Sequence, residues 1–156
     1  MRATLGGRVT LGLAVLALLV RAWDATTQNL WFDEIVTVRI AHLATSELLH
    51  PAGATTIQPT AWLSPLYFAL LKGWMAAVPG PADSAARWGA VVIGVGSVLA
   101  GATAVAALEG RVVGGVAGMV MALSPFHVWY SQEVRPYGLL LLLGACAVAA
   151  LFRGLE

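Results

Sequence analysis

Residues 88–108 read WGAVVIGVGSVLAGATAVAAL, twenty-one positions without a charge. Coiled as an α-helix at about 1.5 Å per residue, that run is about 30 Å long, the thickness of a bilayer's hydrocarbon core. Glu109-Gly110-Arg111 interrupts it, a second apolar run follows from Arg111 to about Trp129, and a third extends from Pro136 to Phe152. Polar or aromatic residues gather at the ends of each, at the depth where headgroups lie. A fourth run, Leu5 to Trp23, qualifies if Arg8 and Arg21 extend their charged tips toward opposite interfaces. It also resembles a signal peptide, but Arg21-Ala22-Trp23-Asp24 offers no small-residue cleavage site.

Composition agrees. Of 156 residues 59% are hydrophobic and 11% charged, and the mean hydropathy is +0.81; a soluble domain carries about 25% charged residues. Disorder, nucleic-acid binding and a disulfide scaffold are therefore poor readings, and a net charge of +1 excludes polyanion binding by bulk charge. The one cysteine, Cys146, has no internal partner. The fold expected is all-α: a multi-pass transmembrane helical bundle formed as a single module over 1–156.

Residues 62–78, WLSPLYFALLKGWMAAV, are ambiguous. Measured from Pro65 the segment is about 20 Å long as a helix, short of the core thickness. Lying at the interface, it would let Lys72 reach headgroups. If it crossed, it would separate the two segments richest in polar side chains. The expectation is thus four spans (about 5–23, 88–108, 111–129 and 136–152), interfacial helices, and outer loops at about 24–87 and 127–135. The basic flank of the first span places the amino terminus in the cytoplasm of a plasma or inner membrane. Asp33 to His50 is expected to be a helix with Val36, Ile40 and Leu43 on one face, although alternation at 36–40 also suits a strand. Pro51 to Pro59 reads as a loop, and Pro79-Gly80-Pro81 as a stop. Gly114 with Gly118, and Ser97 with Gly101, are spaced for close packing of this bundle's own helices.

Two segments put charge where lipid-facing composition would not. In Leu30-Trp31-Phe32-Asp33-Glu34, paired carboxylates follow two aromatics. At a membrane surface they suit a general base; the plainer role is for Asp33 to cap the following helix with Glu34 in its first turn. The second is SPFHVWYSQEVRPY from Ser124 to Tyr137. Aromatic belts account for Phe126, Trp129, Tyr130 and Tyr137. Glu133 and Arg135 lie close to an apolar run, where charges pair or line a cavity; they either anchor the loop as a mutual pair or recognise a ligand. Arg135 can clamp a phosphate, and Trp and Tyr faces can stack on sugars. His127 reads as an interface histidine. The chain has no HExxH, no CxxC pair and no phosphate-binding glycine loop.

The succession of a first span, Asp33-Glu34, PLYFALLKGWM from Pro65, Arg87 opening the next span, and SPFHVWYSQEVRPYGLLLLL from Ser124 resembles the amino-terminal part of the polyprenyl-phosphate-dependent GT-C glycosyltransferases. It is most similar to the family 39 protein-mannosyltransferase group, with its aminoarabinose-transferase-like and RgtA/B/C/D-like domains. The resemblance covers almost the whole chain and implies a multi-pass enzyme whose site faces away from the cytoplasm. Such an enzyme moves a sugar from a polyprenyl-phosphate donor to a protein, lipid or glycan acceptor, with membrane lipids as surroundings and no nucleic-acid partner. The family's essential outer-loop acid maps onto Asp33, with Glu34 beside it. Its second polar cluster maps onto Gln132, Glu133 and Arg135. Relatives commonly read HPPLY where this chain has Leu63-Ser64-Pro65-Leu66-Tyr67, and they are several times longer, so the chain is expected to be an amino-terminal fragment.

In that chemistry Asp33 would take the acceptor proton. Arg135, with Arg87 or Lys72, would stabilise the leaving phosphate. Trp31, Trp129 and Tyr130 would shape the sugar pocket. The resemblance leaves the cofactor open: some family members use a divalent metal and others do not, and Asp33 and Glu133 offer hard oxygen donors for one. The rival expectation is a non-catalytic assembly or regulatory module. A transporter half fits less well, because few charges fall at mid-membrane depth.

Overall fold

The computed structural model describes residues 5–43 and 65–154, and the described residues form seven α-helices and no strand. They are α1 (Gly7–Ala22), α2 (Phe32–His42), α3 (Pro65–Ala77), α4 (Ala82–Glu109), α5 (Arg111–Leu123), α6 (Pro125–Gln132) and α7 (Tyr137–Gly154). The continuation of α2 to His50, the loop at Pro51–Pro59 and the Trp62–Ser64 lead-in lie outside the described residues.

The decisive apolar run forms α4, which packs against every other helix. Its composition explains how. Small residues repeat along it, and Ala86, Gly89, Ala90, Gly94, Ser97, Gly101, Ala102 and Ala106 are all buried. Each opens a place for a neighbour's backbone or side chain. Gly114 of α5 rests on Ala106 and the Ala102 carbonyl, and Gly118 on Ala102 and Leu13 of α1. The small-residue spacings therefore serve packing within the chain, as expected. Gly110 joins α4 to α5 at φ +92°, a left-handed conformation open to glycine.

The four expected spans all contain helices, but of different reach. Among the described residues only α4 is by itself long and apolar enough to cross a membrane. The single span expected at 111–129 is broken. α5 ends at Leu123, Ser124 caps the next helix, Pro125 opens it, and α6 turns by 62°, since proline cannot continue the hydrogen-bond ladder of the preceding turn. The apolar part of α7, Tyr137–Phe152, is shorter than a full span. The 16 residues of α1 cover about 24 Å.

Two apolar clusters hold the bundle. One joins α2 (Val38, Ile40, Ala41) to α3 (Tyr67, Phe68, Leu71), with Ala86 of α4 and Val134 and Leu139 near the start of α7. Val36 and Leu43 flank it, so the expected face of α2 is the packed face. The second joins Ala17 of α1, Val98 of α4 and Ala122 of α5. Outside these contacts, large apolar side chains face outward on α1 (Leu11, Leu19), α5 (Val112, Val120) and α7 (Leu140, Leu151).

A Cβ at position 114 would lie 2.7 Å from the Ala102 carbonyl oxygen, whereas one at 144 meets nothing within 4 Å. Gly114→Ala is expected to destabilise by about 1–3 kcal/mol through overpacking. Gly144→Ala should be neutral or stabilising by up to about 1 kcal/mol. Thermal unfolding of both variants in detergent measures the contrast; equal melting points would contradict the α4–α5 packing.

Candidate functional site

The segment 29–34, the start of α4 and the α6–α7 turn converge at one end of the bundle. Glu34 organises them. Its side chain is 3% exposed and that of Arg87 6%, and Arg87 Nη2 donates to Glu34 Oε2 at 3.0 Å. The same oxygen accepts the Trp31 backbone N–H at 2.9 Å, which ties down the residue capping α2. Oε1 accepts the Val134 N–H at 2.8 Å, across 100 positions of sequence. Arg87 completes the network with Nη1 on the Gln132 carbonyl at 2.8 Å and Nη2 on the Asn29 carbonyl at 3.1 Å. Both charges are buried, and each is met by hydrogen bonds.

Asp33, one residue earlier, faces the other way. It is in the first turn of α2, where a carboxylate opposes the positive helix end, and its side chain is 67% exposed. Arg135 Nη2 lies 3.6 Å from its Oδ2 and is 30% exposed. The two neighbouring acids thus occupy different places, one as an internal tie and one at an open surface. The Arg135 guanidinium also lies over the Tyr137 ring, 5.7 Å from its centroid. Burial works against that charge, but Tyr137, Asp33 and Glu133 outweigh it and hold the pKa above its ordinary value.

Aromatics extend the surface. Tyr130 packs against Phe126 at 4.6 Å and edge-on against Tyr137 at 5.4 Å between centroids. Trp129 Nε1 donates to Glu133 Oε1 at 2.8 Å, and Trp31 is exposed beside Asp33. Two concavities adjoin this end. A polar one of about 210 Å³ is lined by Thr26, Gln28, Asn29, Asp83, Ser84 and Arg87. An apolar groove of about 370 Å³ between α3 and α7 is lined by Leu66, Tyr67, Tyr137, Leu139, Leu140 and Leu143.

The sequence-based candidates therefore divide. Asp33, Arg135, Trp31, Trp129, Tyr130 and Glu133 belong to the exposed rim, while Glu34, Arg87 and Gln132 are interior ties. Gln132 Nε2 is spent on the carbonyls of Arg21 and Trp23. Lys72 does not join them: Nζ donates to the Leu43 carbonyl at the far end of α2 from Asp33. The mutual Glu133–Arg135 anchor gives way to Trp129–Glu133 and Arg135–Asp33 contacts. Asp33 does not cap α2; Glu34 supplies the contact to Trp31 instead. Among the described residues no three His, Cys, Asp or Glu side chains gather as a metal site, and the two oxygen donors considered for one, Asp33 and Glu133, are engaged by Arg135 and Trp129.

Two residues behave differently from their sequence reading. Arg21 and His127 are both buried among the helices instead of turned to the surroundings. Arg21 Nη1 donates to the carbonyls of Ala17 and Ala122, and Nη2 to that of Met121 and to His127 Nδ1 at 2.8 Å. His127 Nε2 lies 3.2 Å from Ser97 Oγ. The signal was present in the sequence: a charge within an apolar run must pair inside or reach an edge, and Arg21's position near the run's end favoured the edge.

Comparison with known protein families, with curated proteins and with solved structures finds no match.

Breaking a buried, hydrogen-bonded ion pair from one side costs about 3–5 kcal/mol, whereas an exposed pair contributes about 0–1 kcal/mol. Glu34→Ala is therefore expected to lower stability by several kcal/mol and Asp33→Ala by about 1 kcal/mol or less. Denaturation in mixed micelles would reveal the difference; a Glu34 variant as stable as the wild type would remove its role as the tie.

Proposed function

We propose that this chain is the amino-terminal part of a membrane glycosyltransferase that moves a sugar from a polyprenyl-phosphate donor to a hydroxyl or amine acceptor on the non-cytoplasmic face. The observation that carries the reading is the meeting of Asp33 and Arg135 at an exposed rim, 3.6 Å apart and backed by the buried Glu34–Arg87 pair. A base and a fixed cation side by side are what displacement of a phosphate leaving group requires. Asp33 accepts the proton of the attacking acceptor. Arg135 stabilises the departing lipid phosphate as negative charge develops on it. Glu34, Arg87 and Gln132 position these two groups, and Trp31, Trp129 and Tyr130 supply flat faces for a sugar.

The surroundings suit an amphipathic donor. Tyr137 carries Arg135 over its ring and also lines the apolar groove between α3 and α7, so a cation and a greasy channel share one wall. The outward apolar faces of α1, α5 and α7 flanking α4 favour a multi-pass arrangement with α6 and the 24–43 segment at the outer surface. A non-catalytic assembly module is the second reading. One observation favours it: the polar concavity, at about 210 Å³, is below the about 300–1,000 Å³ of ligand sites.

Transfer of labelled sugar from polyprenyl-phosphate donors, measured in membranes containing the complete gene product, tests the choice. Asp33→Asn is expected to reduce turnover at least about 100-fold, the low end for a positioned acid or base, with insertion unchanged. Wild-type turnover in Asp33→Asn would remove Asp33 from the mechanism, and no transfer from a broad donor panel would leave the module ahead.

A further inference from the structure

Arg21 is 0% exposed, and among the described residues no carboxylate pairs with it. Its charge is met instead by the carbonyl end of α5, at Met121 and Ala122, where the helix dipole is negative. The remaining partner, His127 Nδ1, fixes the state of the ring. A guanidinium has only donors and stays protonated, so the nitrogen that receives it carries no proton. The ring is then neutral with its proton on Nε2, donated to Ser97 Oγ, which in turn donates to the Gly94 carbonyl at 2.8 Å.

We propose that Arg21 and His127 form a positioning node for Arg135 that holds only while the His127 ring is neutral. The proposal rests on the reading of Arg135 as the phosphate-stabilising group. A proton on Nδ1 would oppose two N–H donors and two positive charges inside the bundle. Among the described residues no carboxylate pairs with either group to compensate. The groups facing His127 are Arg21 from α1, the Met121 and Ala122 carbonyls of α5 that share the Arg21 guanidinium, Ser97 and Gly94 of α4, and Ser131 of its own helix, with Oγ 3.2 Å from Nδ1. Arg21 is the one charged group in this set.

The connection to the rim is short. Ser131 is seated against Gly94, where even a Cβ would come within 2.3 Å of the Ser131 Cβ. The next residue, Gln132, holds the Arg21 and Trp23 carbonyls with its amide and receives Arg87 on its own carbonyl. Two residues further, the Val134 N–H is on Glu34, and Arg135 follows. Displacing Arg21 therefore loosens the end of α1 and the turn that aims Arg135 together.

Two measurements on the full chain in micelles test this. Nitrogen-15 NMR of the imidazoles at pH 7.5 should find His127 protonated at Nε2 alone. Val134 amide exchange, corrected for its intrinsic rate, should lose at least about tenfold protection, the scale of losing one charge-assisted hydrogen bond, as the pH is lowered from 7.5 and the ring charges; burial and the Arg21 charge hold that step off until below the ordinary imidazole range. His127→Gln retains an acceptor for Arg21 but cannot gain a charge, so its protection should not change with pH. A ring protonated at Nδ1 at pH 7.5, a pH-independent Val134 in the wild type, or an equal loss in His127→Gln overturns the node. If the variant does not fold, the wild-type titration decides alone. In the complete enzyme, sugar transfer should fall over the same acid range in the wild type and not in His127→Gln; an active wild type with a flat profile overturns the link to Arg135. Absence of all transfer counts against the glycosyltransferase reading, and the exchange result then decides the node.

Discussion

The buried contact between Glu34 and Arg87 is the constraint on which the polar end of this protein depends. A carboxylate and a guanidinium withdrawn from water cost several kcal/mol each in lost hydration, and their attraction offsets this only where the remaining lone pairs and protons are also used. Here Glu34 takes two backbone N–H groups besides Arg87, and Arg87 gives protons to two backbone carbonyls besides Glu34. Those four backbone groups belong to Asn29, Trp31, Gln132 and Val134. One ion pair therefore fixes the entry to α2 against the exit from α6, and the helix that carries Arg87 is the one all others touch.

This arrangement separates holding from exposure. The interior ties use Glu34, Arg87 and the Gln132 amide, while Asp33 and Arg135 face outward. A second buried cation, Arg21, is stabilised by a different means, with carbonyl dipoles and a neutral imidazole in place of an acid. The two devices lie on either side of Gln132, which contacts both through its amide and its carbonyl. The turn carrying Arg135 is thus held from two directions by unlike chemistry, one an ion pair and the other dependent on an uncharged ring.

Much of the helical layout was legible in the sequence because apolar periodicity and length are local. The run at 88–108 forecast α4, the face of Val36, Ile40 and Leu43 forecast the packed side of α2, and the small-residue spacings forecast close packing within the bundle, which the structure places between α4 and α5. The convergence of Asp33 with the turn at Arg135 is expected on the four-span reading, preferred because it keeps the two polar segments on one side. What the sequence did not disclose was direction. Asp33 and Glu34 are indistinguishable by composition, and only the partner N–H groups of Trp31 and Val134 determine which one turns inward. The burial of Arg21 and His127 was not legible either, because both an edge and an interior partner satisfy a charge near the end of an apolar run. The break at Ser124-Pro125 could be read locally as a cap and a helix opener, yet the continuous hydropathy across it concealed the bend.

The small-residue surface of α4 also has a consequence for biosynthesis. α1 is completed 87 residues before the end of α4, and at about 5–20 residues per second the ribosome needs roughly 4–17 s to supply that partner. Throughout that interval the guanidinium of Arg21 has neither His127 nor the α5 carbonyls to receive it, so the nascent first helix carries a charge that lacks its later partners. It must wait in water, at a headgroup, or against the insertion machinery until the later helices emerge.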